Sequence, residues 1–146
     1  MNSSLNFQPG QIVGLNHLNC CLYAEVIQVV EFRAVCWVRP LMLIEGLSDD
    51  ELGNYSDFSV TPEPFILYDL RQSPDLIWPI QLFRAALDTE VIPFLPQLES
   101  PEINAPEIKP ANGRSAHQQL REFIRQVWQA YPNIFRSVAS PEVDAY

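Results

Sequence analysis

The sequence predicts a mainly β protein with a C-terminal α-helix: a small closed barrel, a short helical cover, a proline-rich linker and one amphipathic helix. Three observations predict it. Residues 22–44 form a long run rich in β-branched and apolar side chains, which suits strands better than a surface helix. Thirteen prolines against five glycines break the chain often and disfavour long uninterrupted helices. Near the C-terminus, Ala116, Leu120, Phe123, Ile124, Val127, Trp128 and Tyr131 recur with the period of one helical stripe.

Pro9-Gly10 is a turn signal before a first strand, Gln11-Ile12-Val13-Gly14-Leu15, and Asn16-His17-Leu18-Asn19 reads as a loop. Residues 22–44 are too long for one strand, because at ~3.3 Å per residue they would span about 75 Å. They must therefore reverse, and the polar interruption Glu31-Phe32-Arg33 is where a tight or irregular hairpin is expected. Both strands carry apolar residues on both faces, which suits a closed sheet whose outside is partly covered. Pro40 is expected to end or edge the third strand.

Residues 45–63 form a long acidic connection, with Glu45, Asp49, Asp50, Glu51, Asp57 and Glu63 and no basic residue. Pro64 to Arg71 then reads as a strand, Ser73-Pro74-Asp75 as a turn and Leu76-Ile77-Trp78 as a short final strand. Pro79 at a first helical position, with Ile80, Leu82, Phe83, Ala86 and Leu87 behind it, predicts a short helix. Residues 91–96 are apolar and proline-broken, a turn or two over the barrel. Pro96, Pro101, Pro106 and Pro110 alternate with Glu99, Glu102 and Glu107, which predicts an extended acidic spacer. Ser115 and Gln118 form a capping box, and Pro132 is expected to stop the helix. The expected organisation is a barrel domain over 1–96, a linker over 97–113, a helix over 114–131 and a tail over 132–146.

Charge is unevenly spread. Residues 45–113 carry a net −10, whereas residues 114–136 carry +3, within a total of −9. A nucleic-acid binder needs a basic footprint, and this chain has a single lysine, so direct nucleic-acid binding is not expected. The start has neither a basic nor an apolar leader region, and no stretch approaches the ~20 apolar residues that span a bilayer. Three cysteines, two of them adjacent, make a poor disulfide framework and predict a cytoplasmic protein.

No nucleophile elbow, P-loop or dinucleotide fingerprint is present, and His17 and His117 show no acid–base pairing. No catalytic residue, cofactor or metal is assigned. His17, Cys20, Cys21 and Cys36 are zinc-type ligands, but their spacing matches no standard knuckle; free cysteines in apolar strands are commonly just small and buried. Tyr23, Trp37, Tyr55, Phe58 and Tyr68 raise the idea of an aromatic cluster at one barrel end, against the simpler reading that they fill the core. On the terminal helix, Arg114, Arg121 and Arg125 share a basic side that suits an acidic surface, the chain's own or a partner's. Leu120, Phe123, Val127 and Trp128 form an apolar stripe for docking inside the molecule or into another protein's groove.

The run P-G-Q-I-V-G-L, a short loop, L-Y-A-E-V-I-Q-V-V-E, a tight reversal and A-V-C-W-V-R resembles the first three strands of SH3-like or Tudor-like barrels, with I-L-Y-D-L and D-L-I-W as closing strands. The likeness covers residues 9–80. The whole chain is also similar to short bacterial proteins of the cyanobacterial type, a likeness that implies no activity. The resemblance implies a barrel fold, and such barrels host many functions. The leading expectation is a non-catalytic protein-binding module, an adaptor or assembly factor, with Tyr23, Trp37, Tyr68 and the helix residues above as partner-binding candidates. The alternatives are a small-ligand protein or enzyme with a pocket between barrel and helix, and an acidic decoy that mimics nucleic acid.

Overall fold

The computed structural model describes residues 6–46, 65–99, 108–111 and 114–144. Most of the acidic connection, the middle of the proline-rich segment, Tyr55 and Phe58 lie outside the described residues.

The long apolar run is an antiparallel hairpin. Strand β2 spans Cys20–Val30 and β3 spans Val35–Glu45. A 3-10 turn, Glu31–Arg33, reverses the chain, and Ala34 closes it with φ of 59°. The reversal thus falls where the polar interruption places it. β1 (Ile12–His17) pairs antiparallel with the first half of β2. Asn16 and His17 belong to this strand, and the turn shrinks to Leu18 and Asn19.

The outer side of β3 is shared by two strands. β4 (Phe65–Asp69) pairs with Met42–Glu45, and β5 (Leu76–Pro79) pairs with Val35–Val38. After β5 a 3-10 turn, Ile80–Leu82, leads into β6 (Arg84–Ala85), which pairs with Val13 and Gly14 of β1. The short helix expected after Pro79 is a 3-10 helix that ends at Leu82 and leaves Phe83, Ala86 and Leu87 outside it. Ile80 and Phe83 enter the core, but the segment does so as a turn followed by a strand.

Pro40 does not end β3. Register shifts between Tyr23 and Ala24, leaving Leu41 opposite no β2 residue, and a second shift falls between Val26 and Gln28. Bulges of this kind bend a strand and accommodate a proline within it. The Leu41 carbonyl freed at the bulge accepts from the Leu70 amide at 3.0 Å.

Two short helices follow, α1 (Asp88–Val91) and α2 (Leu95–Glu99), and then β7 (Ile108–Ala111), parallel to β4. Both ends of the segment expected as a linker are therefore tied to secondary structure. The terminal helix, α3, spans Arg114–Ala130, so Ser115 lies inside its first turn. The expected tail forms a second helix, α4 (Pro132–Asp144). Pro132 starts this helix as well as following the last, since a proline at a first helical position loses no hydrogen bond. The Tyr131 carbonyl accepts from the amides of Ile134 and Phe135, which turns the chain from α3 into α4.

Alternation along the strands explains the apolar character of both faces. Leu22, Ala24, Leu43 and Tyr68 point to one face, with Val13, Leu15, Val26, Cys36, Val38, Trp78 and Phe83. Ala116, Leu120, Phe123 and Val127 of α3 cover that face. Cys21, Tyr23, Met42, Ile44 and Leu67 point to the other, where Val91, Phe94 and Leu98 cover them. The helix stripe is thus docked inside the molecule, and the apolar turns at 91–96 are the second cover.

Candidate functional site

Polar side chains converge where α1 meets β1, β2 and β6. Glu90 accepts two parallel hydrogen bonds from Arg84, Nη1 at 2.8 Å and Nη2 at 2.9 Å. It also accepts from the Tyr23 hydroxyl at 2.7 Å and from the Leu87 amide at 2.7 Å. The last of these is the reach-back half of a capping box, which satisfies an amide at the start of α1. Arg84 Nε donates to Asn16 Oδ1 at 2.6 Å. Gly14 makes room for the guanidinium, because a Cβ there would meet Arg84 Cζ and Nη2 at 3.3 Å and Cys21 Sγ at 3.4 Å.

Burial pulls the Glu90 pKa up, but the bonds from Arg84, Leu87 and Tyr23 outweigh it and hold the carboxyl below its ordinary range. Arg84 is raised, chiefly by its hydrogen bonds to Glu90. Burial, with the adjoining Cys21 and Glu90, pushes the Tyr23 hydroxyl up. A carboxylate with both oxygens occupied and a permanently charged guanidinium form a structural tie. It holds α1 to the sheet and offers no poised acid or base.

Chemistry at sulfur is suppressed in the same way. Burial pushes Cys20, Cys21 and Cys36 up to about 11 each, with Glu45 adding to the rise at Cys20 and Arg84 opposing it at Cys21. The thiolate is the nucleophile and the metal ligand, and these thiols stay protonated near neutral pH. Among the described residues no group of three or more His, Cys, Asp or Glu is placed to hold a metal ion. His17 lies edge-on to Phe123 and Tyr131, with ring centroids 6.3 and 6.2 Å away. It packs against α3.

The partner-binding candidates are dispersed. Tyr23 is buried against the second core and Tyr68 in the first, where its hydroxyl donates to Glu45 at 2.8 Å. Trp37 lies half-buried on the uncovered side of β3, opposite Ile77, and donates from Nε1 to Asp75 at 2.8 Å. Leu120, Phe123 and Val127 are consumed by the molecule's own core, which removes them from any free surface. Arg114 opens α3, while Arg121 and Arg125 are exposed along it.

Trp128 behaves differently from the rest of its stripe. It remains 54% exposed and stacks on Phe135 of α4, with ring centroids 4.8 Å apart and planes 26° apart. Phe135 in turn meets the buried Trp78 edge-on at 5.4 Å. The outer indole is therefore stacked on an aromatic column rooted in the core. Arg125 and Arg121 precede Trp128 by three and seven residues, one and two helical turns away on the same side. Arg125 is paired within the helix to Glu122.

Sequence reasoning missed Arg84, Glu90 and Phe135. The first two belong to segments of other expected structure, and Phe135 to the expected tail. The usable signal for Phe135 was its position three residues beyond a helix-starting proline. Searches against protein-family models, curated proteins and solved structures find no match to this chain. No helix among the described residues is long and apolar enough to cross a membrane.

Proposed function

We propose that the chain is a non-catalytic protein-binding module, an adaptor or assembly factor built on an SH3-like barrel. The strand pairings support the barrel reading. They run from β1 to β2 to β3 to β5, and the chain after β5 leads through a 3-10 turn to β6, which pairs with β1, a path that suits a sheet curling toward closure. In this reading β4 and β7 are an extension on the far half of β3. Three free thiols suit a reducing cytoplasm.

The observation that carries the binding reading is Trp128. A tryptophan half in water, stacked on a core-rooted ring and flanked by exposed arginines, has the composition of an interface anchor. Among the described residues Arg84, Glu90 and Tyr23, by contrast, are occupied by one another.

The test is affinity capture by immobilised full-length protein, wild type beside Trp128→Ala. The expected result is a set of proteins retained by the wild type and lost by the variant, with both proteins melting cooperatively. Identical capture by the two would overturn the reading.

A further inference from the structure

The aromatic surface on α3 has a counterpart elsewhere on the same molecule. Around α1, Leu87 is 66% exposed and Ile92 58% exposed, at the two ends of the helix. Between them Asp88 is exposed, whereas Glu90 turns inward to Arg84. One surface is thus apolar at Trp128, with Arg121 and the Arg125–Glu122 pair on its rim, a net positive charge, and the other is apolar at Leu87 and Ile92, with Asp88 and the Arg84–Glu90 pair on its rim, a net negative charge. They lie on opposite sides of the sheet, because α3 covers one core and the α1–α2 segment covers the other. Along the sequence, Asp88 belongs to the stretch of net −10, residues 45–113, and Arg121 and Arg125 to the stretch of net +3, residues 114–136.

We infer that the occupant of the Trp128 surface is the α1 surface of a second copy of this chain. Two like surfaces repel one another at their charged rims, while unlike surfaces attract and bring apolar side chains together. A contact between unlike surfaces is head-to-tail and leaves one surface free at each end, so association continues beyond a dimer as rings or open chains. The contact is small, so self-association is weak and depends on concentration. Screening of the rims makes it weaker still as salt rises. The inference rests on the protein-binding reading of Trp128 and names its partner.

Sedimentation equilibrium of the full chain over a concentration series tests it. For the wild type the expected average mass rises past that of two chains with concentration and falls with added salt. Trp128→Glu and Leu87→Glu each weaken association by at least about tenfold, because each blocks one surface. A mixture of the two associates again through the surface each retains, and it stops at a 1:1 dimer. Both positions are exposed, so both variants should still unfold in one cooperative transition, with Trp128→Glu lower by what its stack on Phe135 contributes. If one does not, Arg121→Glu and Asp88→Arg replace them, with weakening alone and recovery on mixing as the expected pattern.

A wild type that stays monomeric at every concentration overturns the inference, as do variants that fail to complement on mixing. So does a Leu87→Glu protein that still forms full-strength dimers, since that contact would join like surfaces. None of these outcomes touches the protein-binding reading itself, which the capture experiment decides separately.

Discussion

The Tyr23 hydroxyl donates to Glu90 across 67 residues of sequence, at 2.7 Å. That bond joins the middle of β2 to a helix of one turn, α1, which is too short to persist alone. Tyr23 itself is buried and lies near Phe94, with ring centroids 6.5 Å apart. The helical cover over the second core is thus fastened by one apolar contact and one charge-assisted hydrogen bond at the same side chain. Tyr23→Phe keeps the first and removes the second. The expected loss is about 1–2 kcal/mol, read by urea unfolding.

Glu90 makes the same cover sensitive to acid. Its folded pKa lies below the ordinary 4.5, so the folded state binds fewer protons than the unfolded state in that range. A depressed carboxyl contributes stability that is fully present above the unfolded value and is lost as pH falls through the folded value. Melting temperatures between pH 6 and pH 3 should therefore drop less steeply for Glu90→Gln than for the wild type, from a lower starting point. Parallel slopes for the two proteins would remove Glu90 from the acid response.

Phe123 and Trp128 share a helix but should behave as opposites. Phe123 is buried among strand residues, and Phe123→Ala should cost about 3–5 kcal/mol through the cavity it leaves. Trp128→Ala removes a half-exposed ring stacked on Phe135 and should cost about 1 kcal/mol. A chain ending at residue 98 loses the whole of α3 and uncovers the first core. It is expected to aggregate, as the sign of a structural helix. A soluble, cooperatively folded 1–98 protein would show that the sheet holds its core without α3.

The features legible in the sequence were those fixed by local pattern. The length of the 22–44 run required a reversal, and Glu31-Phe32-Arg33 supplied it. The 3.6-residue stripe required a helix at 114–131, and the structure places it at Arg114–Ala130. Features set by tertiary context were not legible. Ile80, Leu82 and Phe83 carry a helix-like spacing, yet β1 offers unpaired backbone at Val13 and Gly14, and β6 takes it. Pro40 reads as a strand end unless the bulge at Leu41 is known. The stripe on α3 did not reveal which members lie inward; Val127 is buried in the core and Trp128 is exposed, a difference of one position on the helix. Arg84 and Glu90 gave no sequence signal, because their pairing depends on a turn of unforeseen shape and on the absence of a side chain at Gly14.

Ala34 closes the turn between β2 and β3 with φ of 59° and ψ of 34°, and its amide donates to the Glu31 carbonyl at 3.1 Å. That left-handed conformation crowds a Cβ and costs an alanine roughly 1 kcal/mol, whereas glycine adopts it freely. The position is also exposed, so no packing is lost when the methyl goes. Ala34→Gly should therefore stabilise the protein by about 0.5–1 kcal/mol, less what glycine costs in the unfolded chain. Ala34→Val should destabilise it, because a β-branched side chain suits this conformation worst. The comparison isolates the backbone, since neither variant alters the core. A Gly variant that melts below the wild type would mean that the hairpin gains more from the stiffness of alanine than it loses to its strain.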